Sequence, residues 1–140
     1  MEYVITTHKN PRHFEIKTKG EAAVSGFNSF LTEIFTHPQW VPGLSVLLDH
    51  SELILSSFRT DEVRSVSKFV LQNTEQIGQG KWAFVIAGNF AYGMARMWQI
   101  ITEERAPMEI NIFKNREKAI EWLLNDTEAK SEKLIKKGRK

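Results

Sequence analysis

The stretch Lys81-Trp-Ala-Phe-Val-Ile-Ala-Gly-Asn-Phe-Ala-Tyr-Gly-Met-Ala-Arg-Met-Trp98 governs how the rest of the chain is read. Trp82 to Ala87 is an unbroken apolar run. A strand with one wet face would alternate, so this one is expected to be covered on both faces. Gly88 turns the chain without a Cβ clash, and Asn89 is a suitable N-cap for the segment that follows. Phe90, Met94, Met97, Trp98 and Ile101 then recur at helical spacing. The reading is a buried strand that runs directly into the mouth of a helix.

Outward from that junction, strands and helices alternate. On the N-terminal side, Tyr3–Thr7 is rich in strand formers, and His8-Lys-Asn-Pro-Arg12 has turn composition. In His13–Lys19, Phe14 and Ile16 face one way and His13, Glu15, Lys17 and Lys19 the other, which predicts an antiparallel hairpin with one wet face. Phe27, Phe30, Leu31, Ile34 and Phe35 make the apolar stripe of a helix over 25–36, with Ser25 as its cap unless Ala22 and Ala23 extend it backwards. His37-Pro38 stops that helix, because the residue before proline is pushed out of the α region. Leu44–Leu48 reads as a buried strand ending at Asp49-His50, and Leu53-Ile54-Leu55 as either a brief strand or a packed loop. Thr60 is expected to cap a helix carrying Val63, Val66, Phe69 and Val70, with Asp61 and Glu62 at its positive end.

On the C-terminal side, the central helix ends near Glu104 and Pro107 breaks the chain. Met108–Phe113 is the last strand, and Asn115 caps a helix running to Leu124 with Ala119, Ile120 and Leu123 facing inward. The order β, β, α, β, α, β, α, β, α predicts an α/β domain with a mainly parallel sheet and right-handed crossovers. Residues 1–124 form one domain, and 125–140 form a charged tail or an added surface helix.

Composition bounds the function classes. The chain has 140 residues, 41% hydrophobic and 26% charged, as expected of a globular domain able to bury a core. It has no cysteine, which rules out disulfides and thiolate metal sites and fits a reducing compartment. Its first residues lack a basic region followed by a long apolar one, so no secretion signal is expected, and no apolar run is long enough to cross a bilayer. The expected location is the cytoplasm. The net charge of +2 is uneven: residues 125–140 hold six Lys/Arg against three acids, so the body carries no general bias towards nucleic acid. The four histidines have no metal-ligand spacing, and no P-loop, Gly-x-Ser-x-Gly or Gly-x-Gly-x-x-Gly is present, so neither a metal, a cofactor nor an active site is expected.

Several spaced segments point to a family. His37-Pro-Gln-Trp40 with Val41-Pro-Gly43, Leu44–Asp49, Ala91-Tyr-Gly-Met-Ala-Arg-Met97, and Phe113 with Ala119-Ile-Glu-Trp-Leu123 resemble the SpoIIAA-like proteins of bacteria. Those belong to the STAS superfamily and have also been grouped with the Sec14-type lipid-binding fold. The resemblance covers most of residues 3–124. It implies a βα superhelix on one mixed, mostly parallel five-stranded sheet, with successive strands as neighbours and the first antiparallel at an edge. It also implies a non-enzymatic protein that binds a partner or a small ligand. In the anti-sigma antagonists of that superfamily, a serine in an Asp-Ser-Ser-Gly-like turn is phosphorylated. Here the stretch reads Leu55-Ser56-Ser57-Phe58, without the Asp and the Gly, and Ser56 and Ser57 are the corresponding positions.

Two binding sites suggest themselves. One is an anion or headgroup site at the mouth of the 89–104 helix, using free N–H groups at Phe90, Ala91 and Tyr92, with Asp49 and His50 nearby on the same sheet edge. A plainer reading has Asn89 satisfying its own helix and Asp49 capping a loop. The other is an apolar pocket from Phe90, Tyr92, Met94, Met97 and Trp98, helped by Phe27, Leu31 or Phe58. The same stripe also reads as ordinary core. Gly93 costs a helix interior about 1 kcal/mol against Ala, which close packing or a need to open would offset. Arg96 either clamps an anion or pairs with an acid such as Glu103.

The leading expectation is a regulatory module that receives a protein partner or small ligand at the C-terminal edge of the parallel strands. The alternative is a carrier or sensor of an apolar, lipid-like ligand, with Lys130–Lys140 touching an acidic membrane surface or simply solvated. Monomer and homodimer are both open.

Overall fold

The computed structural model describes residues 1–124; the tail expected from residue 125 onward lies outside the described residues. The chain runs β1 (Glu2–Lys9), β2 (Arg12–Glu21), α1 (Val24–Thr36), β3 (Ser45–Ile54), α2 (Thr60–Leu71), α3 (Thr74–Ile77), β4 (Lys81–Val85), α4 (Asn89–Glu103) and β5 (Glu109–Phe113). Residues 116–124 form a further helix, α5. The five strands make one sheet in the order β1-β2-β3-β4-β5. Only β1 is antiparallel, joined to β2 by a two-residue turn at Asn10-Pro11. The architecture is the mixed, mostly parallel five-stranded sheet expected, with consecutive strands side by side.

Each face of the sheet has its own cover. Phe14 and Ile16 of β2, Val46 and Leu48 of β3, Trp82 and Phe84 of β4 and Ile110 and Ile112 of β5 build the main core with α1, α2 and α4. On the opposite face, Leu47, Ala83 and Val85 meet Ala119 and Leu123 of α5. All five residues of β4 are buried: Trp82–Val85 belong to the apolar run, and Lys81 is buried with its ammonium 5.7 Å from the centre of the Trp122 ring. The expected wet face of the hairpin is kept only at one end: Val4 is exposed on β1 and Lys17 and Lys19 form exposed ion pairs with Glu52 and Glu2, whereas His13 is buried and Glu15 is largely covered by Arg116 of α5.

Several boundaries differ from expectation. The cap of α4 is Gly88, with φ 88°, and the Asn89 side chain makes no capping bond. Gly88 holds a left-handed conformation that glycine adopts without penalty, so the turn is completed one residue early. Helix α1 starts at Val24 with Ala23 as cap. Arg59 precedes α2, and its backbone N–H donates to Glu62 Oε1 at 3.0 Å. Asn115 caps α5 as expected, its Oδ1 accepting from the Lys118 N–H at 3.1 Å.

The largest difference is in β3, which continues to Ile54. Lys17 pairs with Asp49 and Lys19 with Glu52, so two steps on β2 face three on β3. This is a β-bulge with the extra residue on β3. It flips the alternation: Val46, Leu48 and His50 face the main core before it, and Leu53 after it. Polar Ser51-Glu52 reads as a strand end in sequence, but Ser51 lies with His50 in the bulge opposite Thr18, and Glu52 pairs with Lys19.

Candidate functional site

A strand separates neighbours by face, and that rule divides the expected edge site. Asp49 and His50 are consecutive on β3 and lie on opposite sides of the sheet.

Asp49 points to the α5 side. Its Oδ1 accepts from the Ser51 N–H at 3.1 Å and from Ser51 Oγ at 2.6 Å, which satisfies a backbone donor at the bulge. Its Oδ2 pairs with Arg116 of α5 at 2.9 Å, and Arg116 also pairs with Glu15 at 2.8 Å. Glu15 in turn meets His8 Nε2 at 3.0 Å. Burial alone would raise the Asp49 and Glu15 carboxyls, but Ser51 and Arg116 hold the first, and Arg116 and His8 the second, below their ordinary values. Asp49 is therefore engaged in a structural network and does not reach the α4 mouth.

The mouth itself is exposed. Asn89 Oδ1 accepts from Lys114 Nζ at 3.2 Å, and the same ammonium lies 4.9 Å from the centre of the Tyr92 ring. The Tyr92 N–H, expected to be free, donates to the Gly88 carbonyl at 3.0 Å. Phe90 is 59% exposed and does not line the cavity that Met94 and Trp98 border. Arg96 is exposed and bonds Gln99 rather than Glu103. Met97 is partly buried against the core and does not line that cavity. Ser56 and Ser57 are exposed in the turn between β3 and α2.

His50 points the other way, into a cavity of about 70 Å³ between the sheet and helices α1, α2 and α4. Met94 and Trp98 line it from α4, Phe27 and Leu31 from α1, with Phe58 before α2. Two of the five α4 residues expected there, Met94 and Trp98, are in place, while Phe90, Tyr92 and Met97 are not. The wall exposes only apolar atoms, although three of its side chains carry polar ones. His50 is 5% exposed, with its ring 5.9 Å from Phe84 and 5.7 Å from Phe27. Its Nδ1 lies 2.6 Å from Thr18 Oγ1, itself 3.4 Å from the Asp49 carbonyl. Burial pushes the His50 pKa down to about 4, only partly offset by the Asp49 charge, so the ring is neutral near pH 7. Trp82 and Trp98 are the other two, and neither indole N–H has a hydrogen-bond partner.

An unpaired buried donor costs about 1–3 kcal/mol, and native interiors contain few. Two of the three buried side-chain atoms without a partner among the described residues belong to tryptophans on this one cavity. Trp40, by contrast, donates to the Gln76 carbonyl at 2.8 Å. Sequence reasoning missed Trp82, Thr18 and Ala95 as lining or supporting residues. A Trp opening a fully buried strand was the available signal, since its N–H needs a partner that an apolar run does not supply.

Helix α4 closes the cavity unevenly. Its C-terminal half is anchored: Gln99 Nε2 donates to the Ile110 carbonyl at 2.9 Å, and Thr102 Oγ1 meets Ser67 of α2 at 2.7 Å, both buried. No residue before Gln99 in α4 is fully buried, and a Cβ at Gly93 would meet nothing within 4 Å. Close packing is thus not what Gly93 serves.

A single sheet of this order, with α1, α2 and α4 on one face and α5 on the other, defines a SpoIIAA-like fold. The structure is similar to that of an uncharacterised protein of the DUF3478 family with a SpoIIAA-like fold from Shewanella loihica PV-4, with a TM-score of 0.57 and 18% identity over 87% of this chain and 92% of that one. At that identity the likeness is one of fold. The sequence matches no protein-family model and no curated protein. No helix among the described residues is long and apolar enough to cross a membrane, and among them no three His, Asp or Glu side chains group to hold a metal ion.

Proposed function

We propose that this protein is a non-catalytic binding module of the cytoplasm that carries or senses a small, largely apolar molecule in the cavity beneath α4. The observation that carries this reading is a wholly apolar cavity of about 70 Å³ lined on one side by Met94, Ala95 and Trp98 from the weakly anchored half of α4. An apolar cavity stays dry and takes up apolar guests. At about 70 Å³ the cavity is roughly half the volume, ~150 Å³, that holds benzene. A larger guest enters by displacing the weakly anchored N-terminal half of α4, which starts at Gly88. Displacement of that half would alter the exposed surface around Phe90, which suits a sensor that reports to a protein partner.

Ala95→Leu fills the cavity from α4. Native mass spectrometry of the gently purified full chain is expected to show a small neutral adduct that the Ala95→Leu variant lacks. Thermal melts with medium-chain alcohols, fatty acids or phospholipids are expected to shift the native chain and not the variant. Bare protein in every preparation, together with melts that none of these compounds moves, would exclude the proposal.

A further inference from the structure

The two edges of the sheet are finished differently. An edge strand presents backbone groups without ladder partners, and folds commonly cover or blunt them. On β5, side chains do this: Gln99 Nε2 donates to the Ile110 carbonyl at 2.9 Å, and Asn111 Oδ1 accepts from the Ile112 N–H at 3.0 Å. On β1 the side-chain bonds involve the Tyr3 hydroxyl and His8 Nε2, and among the described residues none reaches the backbone of this strand. β1 has eight residues, contains no proline, and pairs with β2 at eight consecutive positions without a bulge. Val4, in its middle, is 65% exposed.

Ladder geometry says which groups are open. The two-residue turn closes on the pair Lys9–Arg12, and alternate residues of an antiparallel strand bond the same neighbour. Tyr3, Ile5, Thr7 and Lys9 therefore bond β2, while Glu2, Val4, Thr6 and His8 aim their N–H and C=O groups outward. Two copies related by a two-fold axis normal to the sheet would pair their β1 strands antiparallel, with the same patch on both sides. The one register that engages all four outward residues sets Glu2 against His8, Val4 against Thr6 and Ile5 against itself. Each outward pair exchanges two bonds, about eight in all.

Side-chain chemistry suits a second copy in that register. β-branched residues face each other at the centre, and no like charges are opposed. Lys9 and Glu33 of α1 are both exposed, and among the described residues neither has a counter-ion. Glu33 Oε1 is held over β1 by the Tyr3 hydroxyl at 2.7 Å. Lys9 of the second copy falls opposite Met1, one diagonal step from Tyr3 on the same face, which brings its ammonium within reach of Glu33. The symmetry makes this pair twice. An unrelated extended segment would gain the backbone bonds without these ion pairs. We infer that this protein is a two-fold dimer in which the β1 strands join two sheets into one of ten strands.

The test uses the full chain at neutral pH. Sedimentation equilibrium at about 100 µM is expected to give twice the mass of one chain. The chain has no cysteine, so Ile5→Cys introduces a single thiol at the two-fold axis. Facing residues there have Cα atoms about 4.5 Å apart, within disulfide range. Mild oxidation is expected to link Ile5→Cys into dimers and to leave Thr7→Cys unlinked, since that position lies roughly 13 Å from its counterpart. Val4→Glu faces Lys17 in its own chain but sets two carboxylates side by side at the joint, and is expected to weaken the dimer about tenfold or more. Lys9→Glu is expected to weaken it too, and Lys9→Glu with Glu33→Lys to restore it. A monomer at about 100 µM overturns the inference. So does a dimer in which Thr7→Cys links as readily as Ile5→Cys, or one that Val4→Glu leaves unchanged, because the joint then lies elsewhere. Should Val4→Glu not fold, the two cysteine variants decide.

Discussion

Burying an imidazole against Phe27, Phe30 and Phe84 disfavours its charged form. The unfolded chain takes up this proton near 6.5 and the folded chain near 4. Between those values the unfolded state binds more protons, so the stability that neutral His50 contributes is complete above the unfolded value and is lost as pH falls, by about 3 kcal/mol in all. Urea unfolding is expected to show this decline between pH 6.5 and about 5, above the main titration of the carboxylates, and His50→Gln is expected to flatten it. An unchanged midpoint across that range in the native protein would contradict the assignment. His50 was legible in sequence as a candidate, but its expected partnership with Asp49 was not sound, because neighbours on a strand cannot share a face. Trp82 was legible as core. That its N–H lacks a partner depends on every group packed around it, which no local pattern reveals.

Among the elements, α4 combines a fixed end with a looser one. Gln99 and Thr102 hold the C-terminal half to β5 and α2, while residues 89–98 rest on partly buried contacts. Gly93 sits in the looser half, where a Cβ meets open space and the backbone angle is ordinary. Gly93→Ala is therefore expected to raise stability by roughly 0.5–1 kcal/mol, read as a higher denaturant midpoint with an unchanged slope. A lower midpoint would show that residue 93 meets a neighbour in another arrangement of α4. The apolar periods of α1 and α2 and the two-sided burial of β4 were legible, because each is a repeating pattern that burial enforces. The bulge in β3 was not. A single extra residue changes the face of everything after it, yet the polar Ser51-Glu52 pair at that point looks like any strand end.

Over the whole molecule, α5 is joined to the far side of the sheet by a small apolar patch and by Arg116. That one guanidinium bridges Glu15 on β2 and Asp49 on β3. Arg116→Met is expected to cost about 2 kcal/mol at neutral pH, because it leaves two largely buried carboxylates without their cation. Both carboxyls titrate below their ordinary values in the fold, so the stability they gain from Arg116 is present at neutral pH and lost as pH falls through those lowered values. The gap between variant and native protein is thus expected to close in acid, below about pH 4. Equal stability at pH 7 would show that the apolar patch alone holds α5. The pairing of Arg116 with residues 101 and 67 positions away could not be read from local sequence.

The amino-acid sequence by itself determined the order of elements, the mostly parallel sheet and the burial of β4, because hydrophobic period and turn chemistry act over a few residues at a time. Only the tertiary structure decided that Asp49 and His50 serve different faces. It alone showed that α4 opens on a glycine cap, and that Trp82, Trp98 and His50 border one apolar cavity. Those outcomes depend on register and on which surfaces pack together, and both are set by contacts between segments far apart in the chain.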